Sequence, residues 1–380
     1  MDPTNEVGVA EGTSDETGQV VYLHGPDDLE LREHPVPEPE PGAVVAEIET
    51  TNVCGSDIHI AEGRLGDPFL DMVLGHEAVC RITDLGEGVT TDNAGNPVEP
   101  GDLVAPVYYR TCNSCYTCAQ GEHYNCLNSY SHKTKALEEF PHFHGTYGTH
   151  YYIHPDQHFY TVPEELESVP EVAAAANCAL SQVMFGLDKA GIEYGDTVVV
   201  QGAGGLGLNA LAYANERGAE TIAIEGAESR LARAEQFGAD HLVDMTEHTS
   251  VAERIDRVEA LTDGRGADVG VEVAGVPEAF SEGVQLLRDG GRYVEMGNIN
   301  PGSDIEFDPG IITRNSIEVH ALVQYDPHYL EKALGFLAET IDTYPYTDLL
   351  DAEYDLTDAE SALEHSASRD VTRASLVPNP

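Results

Sequence analysis

Cys112, Cys115, Cys118 and Cys126 form a C-x2-C-x2-C-x7-C run. Four thiolates on so short a loop suit a tetrahedral zinc ion closed to solvent. The competing reading, an iron–sulfur cluster, expects the fourth cysteine three residues on and followed by proline. Here the last gap is seven residues and Leu127 follows. Four neighbouring thiols without a metal would invite oxidation. A site whose positions are all filled by protein does no chemistry, so its role is to fold the loop.

A second pattern is Gly202-Ala203-Gly204-Gly205-Leu206-Gly207, placed after the apolar run Thr197–Val200 and before a helical stretch reaching Arg217. Gly202 permits the tight turn, Gly204 lets backbone approach a pyrophosphate, and Gly207 lets helix pack on strand. The first turn of the helix then offers free N–H groups to a phosphate. Glu225 ends the next apolar run, near the spacing of a carboxylate that accepts from the adenosine ribose hydroxyls. Such a carboxylate repels a 2′-phosphate, which favours NAD over NADP. Arg230 lies close by and is the residue that would accommodate a phosphate. A third constellation is Cys54-Gly55-Ser56-Asp57-Ile58-His59 with Gly75-His76-Glu77. A catalytic zinc needs about three protein ligands and one open position, and Cys54 and His76 are candidates. Each also has an ordinary reading as a buried thiol or a core histidine, and spacing alone does not choose.

These residues need elements to hold them. The first third of the chain reads as short strands between Gly/Pro turns, with Val44–Ile48 and Leu103–Val107 as examples. From about Val169 apolar strands alternate with helical patterns: Thr197–Val200, Thr221–Glu225, Val269–Val273 and Arg292–Met296. That alternation predicts a parallel α/β sheet. The tail holds a helix over Tyr329–Thr340.

Taken in order, Cys-Gly-Ser-Asp-x-His at 54–59, Gly-His-Glu at 75–77, the four-cysteine lobe, Cys178 and the 202–207 turn resemble the zinc-containing medium-chain alcohol dehydrogenases from about Val20 to Val377. The resemblance implies an α/β protein of two domains, a GroES-like β domain and a Rossmann doubly wound parallel sheet. The expected boundaries are 1–19 for a disordered acidic leader, 20–180 for the GroES-like domain with the zinc lobe, 181–320 for the Rossmann domain and 321–380 for a return to the first domain. The active site would lie in the cleft between them. The resemblance makes Cys54, His76 and Cys178 the ligands of a catalytic zinc, beside one structural zinc. It makes Glu77 a carboxylate near the metal, Asp57 the partner that orients His76, and Ser56 and His59 a proton relay. Arg373 resembles a phosphate contact. Gly55 stands where relatives carry Arg or His, Gln182 where many have Thr, and Asn177 where Gly is common. The implied reaction is oxidation of an alcohol to an aldehyde or ketone with hydride transfer to NAD(P), on primary, secondary or cyclic alcohols. The alternatives are a polyol, sugar or amino-alcohol substrate, or a non-enzymatic dinucleotide-binding protein. Retention of every metal ligand counts against the last. Relatives of this kind are dimers or tetramers, and a tetramer is expected.

Charge is the unusual quantity: 68 Asp+Glu against 19 Lys+Arg, a formal net charge of −49. In dilute buffer such self-repulsion loosens the compact state; in molar salt the Debye length falls to about 3 Å and screens it. The acidic residues run along the whole chain, which reads as a surface adapted to high salt. A basic footprint for nucleic acid is missing. No apolar run approaches the ~20 residues of a membrane helix, and the acidic start lacks the pattern of a signal peptide, so a cytoplasmic enzyme with a small-molecule substrate is expected. Seven cysteines, an odd number, argue against a disulfide framework. His132, His142, His144, His150, His154 and His158 crowd one stretch, and His142-Phe143-His144 raises the idea of an extra metal. That stretch and Arg64–Asp71 are expected to border the substrate pocket, and Cys80 to be core.

Overall fold

The computed structural model describes residues 13–66, 69, 71–133, 139–368 and 371–379, and they divide into two compact units. The first takes the chain up to Cys112, then Asn128–Val162 and the stretch from Ala352. The second takes Asn113–Leu127 and Pro163–Asp351.

The first unit is built from antiparallel strands. One sheet runs Asp28–Pro37, Thr13–Gly25, Met72–Val73. Another is centred on Val44–Asn52 and Ala78–Leu85, with Leu103–Pro106 and Phe159–Thr161 beyond on one side and Ala374–Val377 and Ala352–Asp355 on the other. His150–Ile153 pairs with Val44–Asn52 off this path. The alternate apolar residues Val44, Ala46 and Ile48 meet Cys80, Ile82, Val104, Tyr151 and Ile153 in one core cluster, as a half-buried pleated surface does. Cys80 is fully buried there, and burial pushes its thiol up.

The second unit carries six parallel strands in the order His241–Asp244, Glu220–Glu225, Thr197–Gln201, Ala267–Glu272, Leu287–Glu295, Glu318–Ala321. Thr197–Gln201 and Ala267–Glu272 are buried along their whole length, which explains their continuous rather than alternating apolarity. The GroES-like and Rossmann architecture read from the sequence is therefore the fold of the chain.

The boundaries differ from the expected ones. Residues 1–12 of the acidic leader lie outside the described residues, but Thr13–Gln19 already form strand, paired in register Thr17↔Pro35, Gly18↔His34 and Gln19↔Glu33. Backbone pairing needs no apolar side chain, so the polar composition hid it. The second unit begins at Pro163 rather than 181 and keeps the chain to Asp351 rather than 320. Within it Phe185 packs between Tyr124 of the cysteine lobe, tilted at 4.8 Å, and Tyr329 of the helix Tyr329–Thr340, edge-on at 5.1 Å. Those aromatic contacts hold both segments to the helix Ala179–Lys189.

Asp268 binds the two central strands. It accepts from Thr197 N–H at 2.9 Å and from Arg265 at 2.8 Å, and Arg288 donates to its other oxygen. Burial alone would raise its pKa; Arg265, the Thr197 amide and Arg288 outweigh that and hold it at about 2. A depressed carboxylate contributes stability above its unfolded pKa and loses it as pH falls through the folded value. Asp268→Asn is expected to cost about 2 kcal/mol at pH 7, with the gap to the parent narrowing between about pH 4 and pH 2. Denaturant unfolding in molar KCl at each pH measures it.

Candidate active site

Strand Val44–Asn52 leads into Cys54, the N-cap of the helix Gly55–Ala61. Asp57, at the third helical position, accepts from the Cys54 backbone N–H at 2.9 Å through Oδ2, a capping-box contact that fixes the entry of the helix. Its Oδ1 accepts from His76 Nδ1 at 2.9 Å. The Tyr147 hydroxyl donates to Oδ2 at 3.4 Å. Asp57 is fully buried, so a carboxylate with three donors is satisfied rather than stranded. With Nδ1 engaged, Nε2 of His76 is the nitrogen left for a ligand. Burial alone would lower the His76 pKa; the Asp57 carboxylate and the Cys54 thiol reverse this and raise it to about 9.

Glu77 is also fully buried. Its backbone oxygen accepts from Asn52 N–H at 2.9 Å and Thr51 Oγ1 at 2.7 Å, which ties Gly75–Glu77 to the strand before Cys54. Arg373 donates to Oε2, while Oε1 has no hydrogen-bond partner among the described residues. The ligand atoms of Cys54, His76 and Glu77 lie within 4.8 Å of one another. A thiol, an imidazole nitrogen and an orphaned carboxylate oxygen in one buried spot are a donor set that fits zinc. Ser56 and His59 lie half-buried on the same short helix, with Ser56 Oγ 3.8 Å from Cys54 Sγ. Burial first, and Arg64 second, lower the His59 pKa.

In the second unit, Cys178 is buried at the N-terminus of the helix Ala179–Lys189, and its carbonyl accepts from Gln182 N–H. Gln182 donates from its side chain to Leu322 O at 2.9 Å, and the Asn177 carbonyl accepts from Tyr325. In the lobe, the sulfurs of Cys115, Cys118 and Cys126 lie within 4.8 Å of one another, and Cys112 directly precedes it. Thr117 and the N–H groups of Cys118 and Leu127 lower the Cys115 thiol to about 7, while burial raises Cys118 to about 12. The cluster is compatible with a structural zinc.

The 202–207 turn has the expected shape. Gly202 sits at φ +99, where a Cβ would meet the Ala274 backbone at 2.9 Å. A Cβ on Gly207 would meet Gly202 O at 1.9 Å, whereas nothing lies within 4 Å of the place a Cβ on Gly204 would take. The helix Gly205–Glu216, opened by Gly205 and Leu206, therefore starts beside open space suited to a phosphate. Glu225 ends its strand and accepts from the N–H groups of Ala203, Gly226 and Ala227 at 3.1, 2.7 and 3.1 Å. Burial alone would raise its pKa; those amides, with Arg230 at 3.5 Å, lower it.

Residues 40–164 match the alcohol dehydrogenase GroES-like domain family and residues 205–339 the zinc-binding dehydrogenase family. The chain is similar to 5-exo-hydroxycamphor dehydrogenase of Pseudomonas putida, 35% identical over 88% of this chain and 92% of that one. The chain belongs to the zinc-containing medium-chain alcohol dehydrogenases. Sorbitol dehydrogenase of Halalkalibacterium halodurans is 32% identical over 85% of this chain and 90% of its own. A solved alcohol dehydrogenase from Thermotoga maritima superposes with a TM-score of 0.88 at 30% identity, over 96% of this chain and 100% of that one. This dehydrogenase thus oxidises an alcohol, a small-molecule substrate, with zinc and a nicotinamide dinucleotide as the family's cofactors.

Other sequence expectations fare differently. His142 stacks on His34 at 4.5 Å, and His154 packs against both His132 and His144, at 5.5 and 6.0 Å. None of these joins a metal-ligand group among the described residues. Arg64 pairs with Glu62 at 2.7 Å and Asp71 accepts from Tyr22 at 2.8 Å; residues 67, 68 and 70 lie outside the described residues. No helix among the described residues is long and apolar enough to cross a membrane.

Sequence reasoning missed Tyr147, Tyr108 and Lys133. The Tyr108 ring stands edge-on to His76 at 5.4 Å. Lys133 is 4% exposed, donates from Nζ to Gly75 O at 3.0 Å and lies 5.9 Å above the Tyr108 ring. It holds the residue before His76, and only the fold brings it there. Asp57→Asn is expected to lower metal affinity about 10–100-fold by loosening the imidazole, read as faster loss of one zinc per chain to a chelator. Cys115→Ser is expected to lower the melting temperature while the folded fraction keeps its turnover; an unchanged melting temperature would count against a structural metal in the lobe.

Proposed function

We propose that Cys54, His76 and Cys178 hold the catalytic zinc and that Cys112, Cys115, Cys118 and Cys126 hold the structural one. The observation that carries the first assignment is the Asp57 clamp, which aligns the Cys54 backbone and the His76 ring with one carboxylate. Cys178 joins them on its place in the family's motif order. A zinc ion bound there supplies Lewis acidity that lowers the pKa of an alcohol oxygen, and the nicotinamide supplies the hydride acceptor. The rest falls to the chain. Ser56 orients the substrate hydroxyl and takes its proton, and His59, whose pKa burial and Arg64 lower, receives it nearer the surface. Glu77, anchored by Arg373, offers its second oxygen to the metal site. Arg373 would contact a cofactor phosphate only by sharing its guanidinium with Glu77.

NAD is the proposed cofactor over NADP, because the ionised Glu225 at the strand end repels a 2′-phosphate and partly neutralises Arg230. The substrate class we infer is a secondary or cyclic alcohol, supported by the similarity to 5-exo-hydroxycamphor dehydrogenase. A polyol is the second reading, supported by the similarity to sorbitol dehydrogenase. The proposed setting is a high-salt cytoplasm, supported by the net charge of −49 and by seven cysteines none of which forms a disulfide among the described residues. A tetramer is proposed on the resemblance alone.

NAD reduction followed by absorbance in molar KCl, against primary, secondary and cyclic alcohols and polyols with NADP in parallel, tests the proposal. Cyclic or secondary alcohols should turn over with NAD; polyol turnover alone would replace that reading. Cys54→Ser should abolish turnover and leave dinucleotide binding in place; full activity would overturn the zinc assignment. Glu225→Ser should shift the NAD/NADP preference at least tenfold toward NADP, about 1.4 kcal/mol.

A further inference from the structure

Two carboxyl groups meet at the carboxyl edge of the parallel sheet in the second unit, outside the residues used above. Glu272 ends the strand Ala267–Glu272, Glu295 ends Leu287–Glu295, and the two are direct cross-strand partners. Glu272 is fully buried. Its Oε1 accepts from Gly275 N–H at 2.8 Å and its Oε2 from Asn298 Nδ2 at 3.0 Å. Glu295 Oε1 accepts from the same Nδ2 at 2.9 Å and from Asn298 N–H at 3.2 Å. One amide nitrogen therefore spans both side chains. Glu295 Oε2 is buried and takes no hydrogen bond from an N–H among the described residues.

The ionisable groups around the pair bring no compensating cation. Tyr293, on the same strand, donates to Gln201. Glu282, on the helix Pro277–Gly283, is taken up by Arg254, and Glu278 on that helix is exposed. On the neighbouring strand Ala321 is the partner of Glu295, and His320 points to the opposite face. Two carboxylates in contact in a buried spot do not both ionise. A proton on one removes the repulsion and lets it donate to the other. Burial first, and the Glu295 carboxyl second, raise the Glu272 pKa to about 8.

The pair joins the two loops that leave these strands. The first, 273–276, lies on the glycine turn: Val273 N–H donates to Gln201 O at 3.1 Å, and a Cβ on Gly202 would meet the Ala274 backbone at 2.9 Å. The second, 296–299, lines a cavity with Ala321, Leu322 and Val323. The loops touch at Gly297, where a Cβ would meet Glu272 Oε2 at 2.5 Å and Gly275 N at 2.7 Å. Both leave the edge of the sheet at which folds of this kind bind dinucleotides. We propose that Glu272 and Glu295 are a positioning pair for the dinucleotide: they share one proton, and that proton keeps the two loops together in the arrangement that binds the cofactor. The inference rests on the dinucleotide reading above. Loss of the proton sets two carboxylates against each other and drives 296–299 away from 273–276. An unfolded glutamate titrates near about 4.3, so between that pH and about 8 the native state binds one more proton than the unfolded one. The pair's contribution to stability therefore falls as pH rises through this window and is level above it.

NADH titrated by fluorescence into the zinc-loaded protein in molar KCl, from pH 6.5 to 9.5, tests the coupling. Melting curves from pH 5 to 9 test the shared proton without cofactor. Glu295→Gln can donate to Glu272 from its amide without needing the proton. The parent's Kd, divided by that of Glu295→Gln, should stay level to about pH 8 and then rise up to tenfold per pH unit. Steps from other groups appear in both proteins and cancel in the ratio. The melting temperature of Glu295→Gln should climb relative to the parent's between about pH 5 and pH 8. Glu272→Gln should do the same and serves if Glu295→Gln does not fold. A level Kd ratio, or a melting difference independent of pH, overturns the proposal. No NADH binding at any pH would overturn the cofactor reading and the coupling with it, while the melting curves still decide whether the proton is shared.

Discussion

Asp57 is the group on which the active-site half of the first unit depends. One carboxylate oxygen holds the N–H of Cys54 and the other holds Nδ1 of His76, nineteen residues away in sequence. Because the side chain is fully buried, its charge is strongly felt, and the surroundings must supply donors for it. They do so with a backbone amide, an imidazole and the Tyr147 hydroxyl. The result is a thiol and an imidazole nitrogen presented together, with little freedom to turn away. For the zinc site we propose there, this alignment is set by the chain itself, and partners of this kind tune a ligand's metal affinity.

The same economy governs the few cations. With only 19 Lys and Arg in 380 residues, the places they occupy carry weight. Arg254 makes a buried two-pronged pair with Glu282 at 2.7 and 2.6 Å. Arg265 and Arg288 converge on Asp268, Arg373 on Glu77, and Lys133 on the carbonyl before His76. A bidentate or buried cation stabilises a specific geometry, whereas an exposed pair contributes little. Most of the remaining acidic residues are exposed or half-buried.

The dinucleotide turn works by a different constraint, that of close approach. Gly207 stands where any side chain would strike the Gly202 carbonyl, and Gly202 where one would strike Ala274. Glu225 closes the turn by accepting from Ala203, inside the turn itself. The carboxylate we propose as the cofactor discriminator is therefore also a structural brace, and backbone amides lower its pKa.

The sequence alone was enough for the parts whose chemistry is contiguous. The four-cysteine lobe, the glycine turn with its following acidic residue, and the strand–helix alternation are set by neighbours along the chain, so spacing reveals them. The order of motifs carried the family and the fold. What tertiary structure decided is everything reached by folding over. Tyr108, Tyr147 and Lys133 meet the Cys54–His76 segment from 32 to 90 residues away. Arg373 finds Glu77 across 296 residues. Only pairing between strands put Glu272 beside Glu295. The strand at Thr13–Gln19 was hidden because its pairing is made by backbone groups common to every residue type. Local spacing encodes what a segment does to itself; contacts between distant segments depend on register and packing, which only the folded chain fixes.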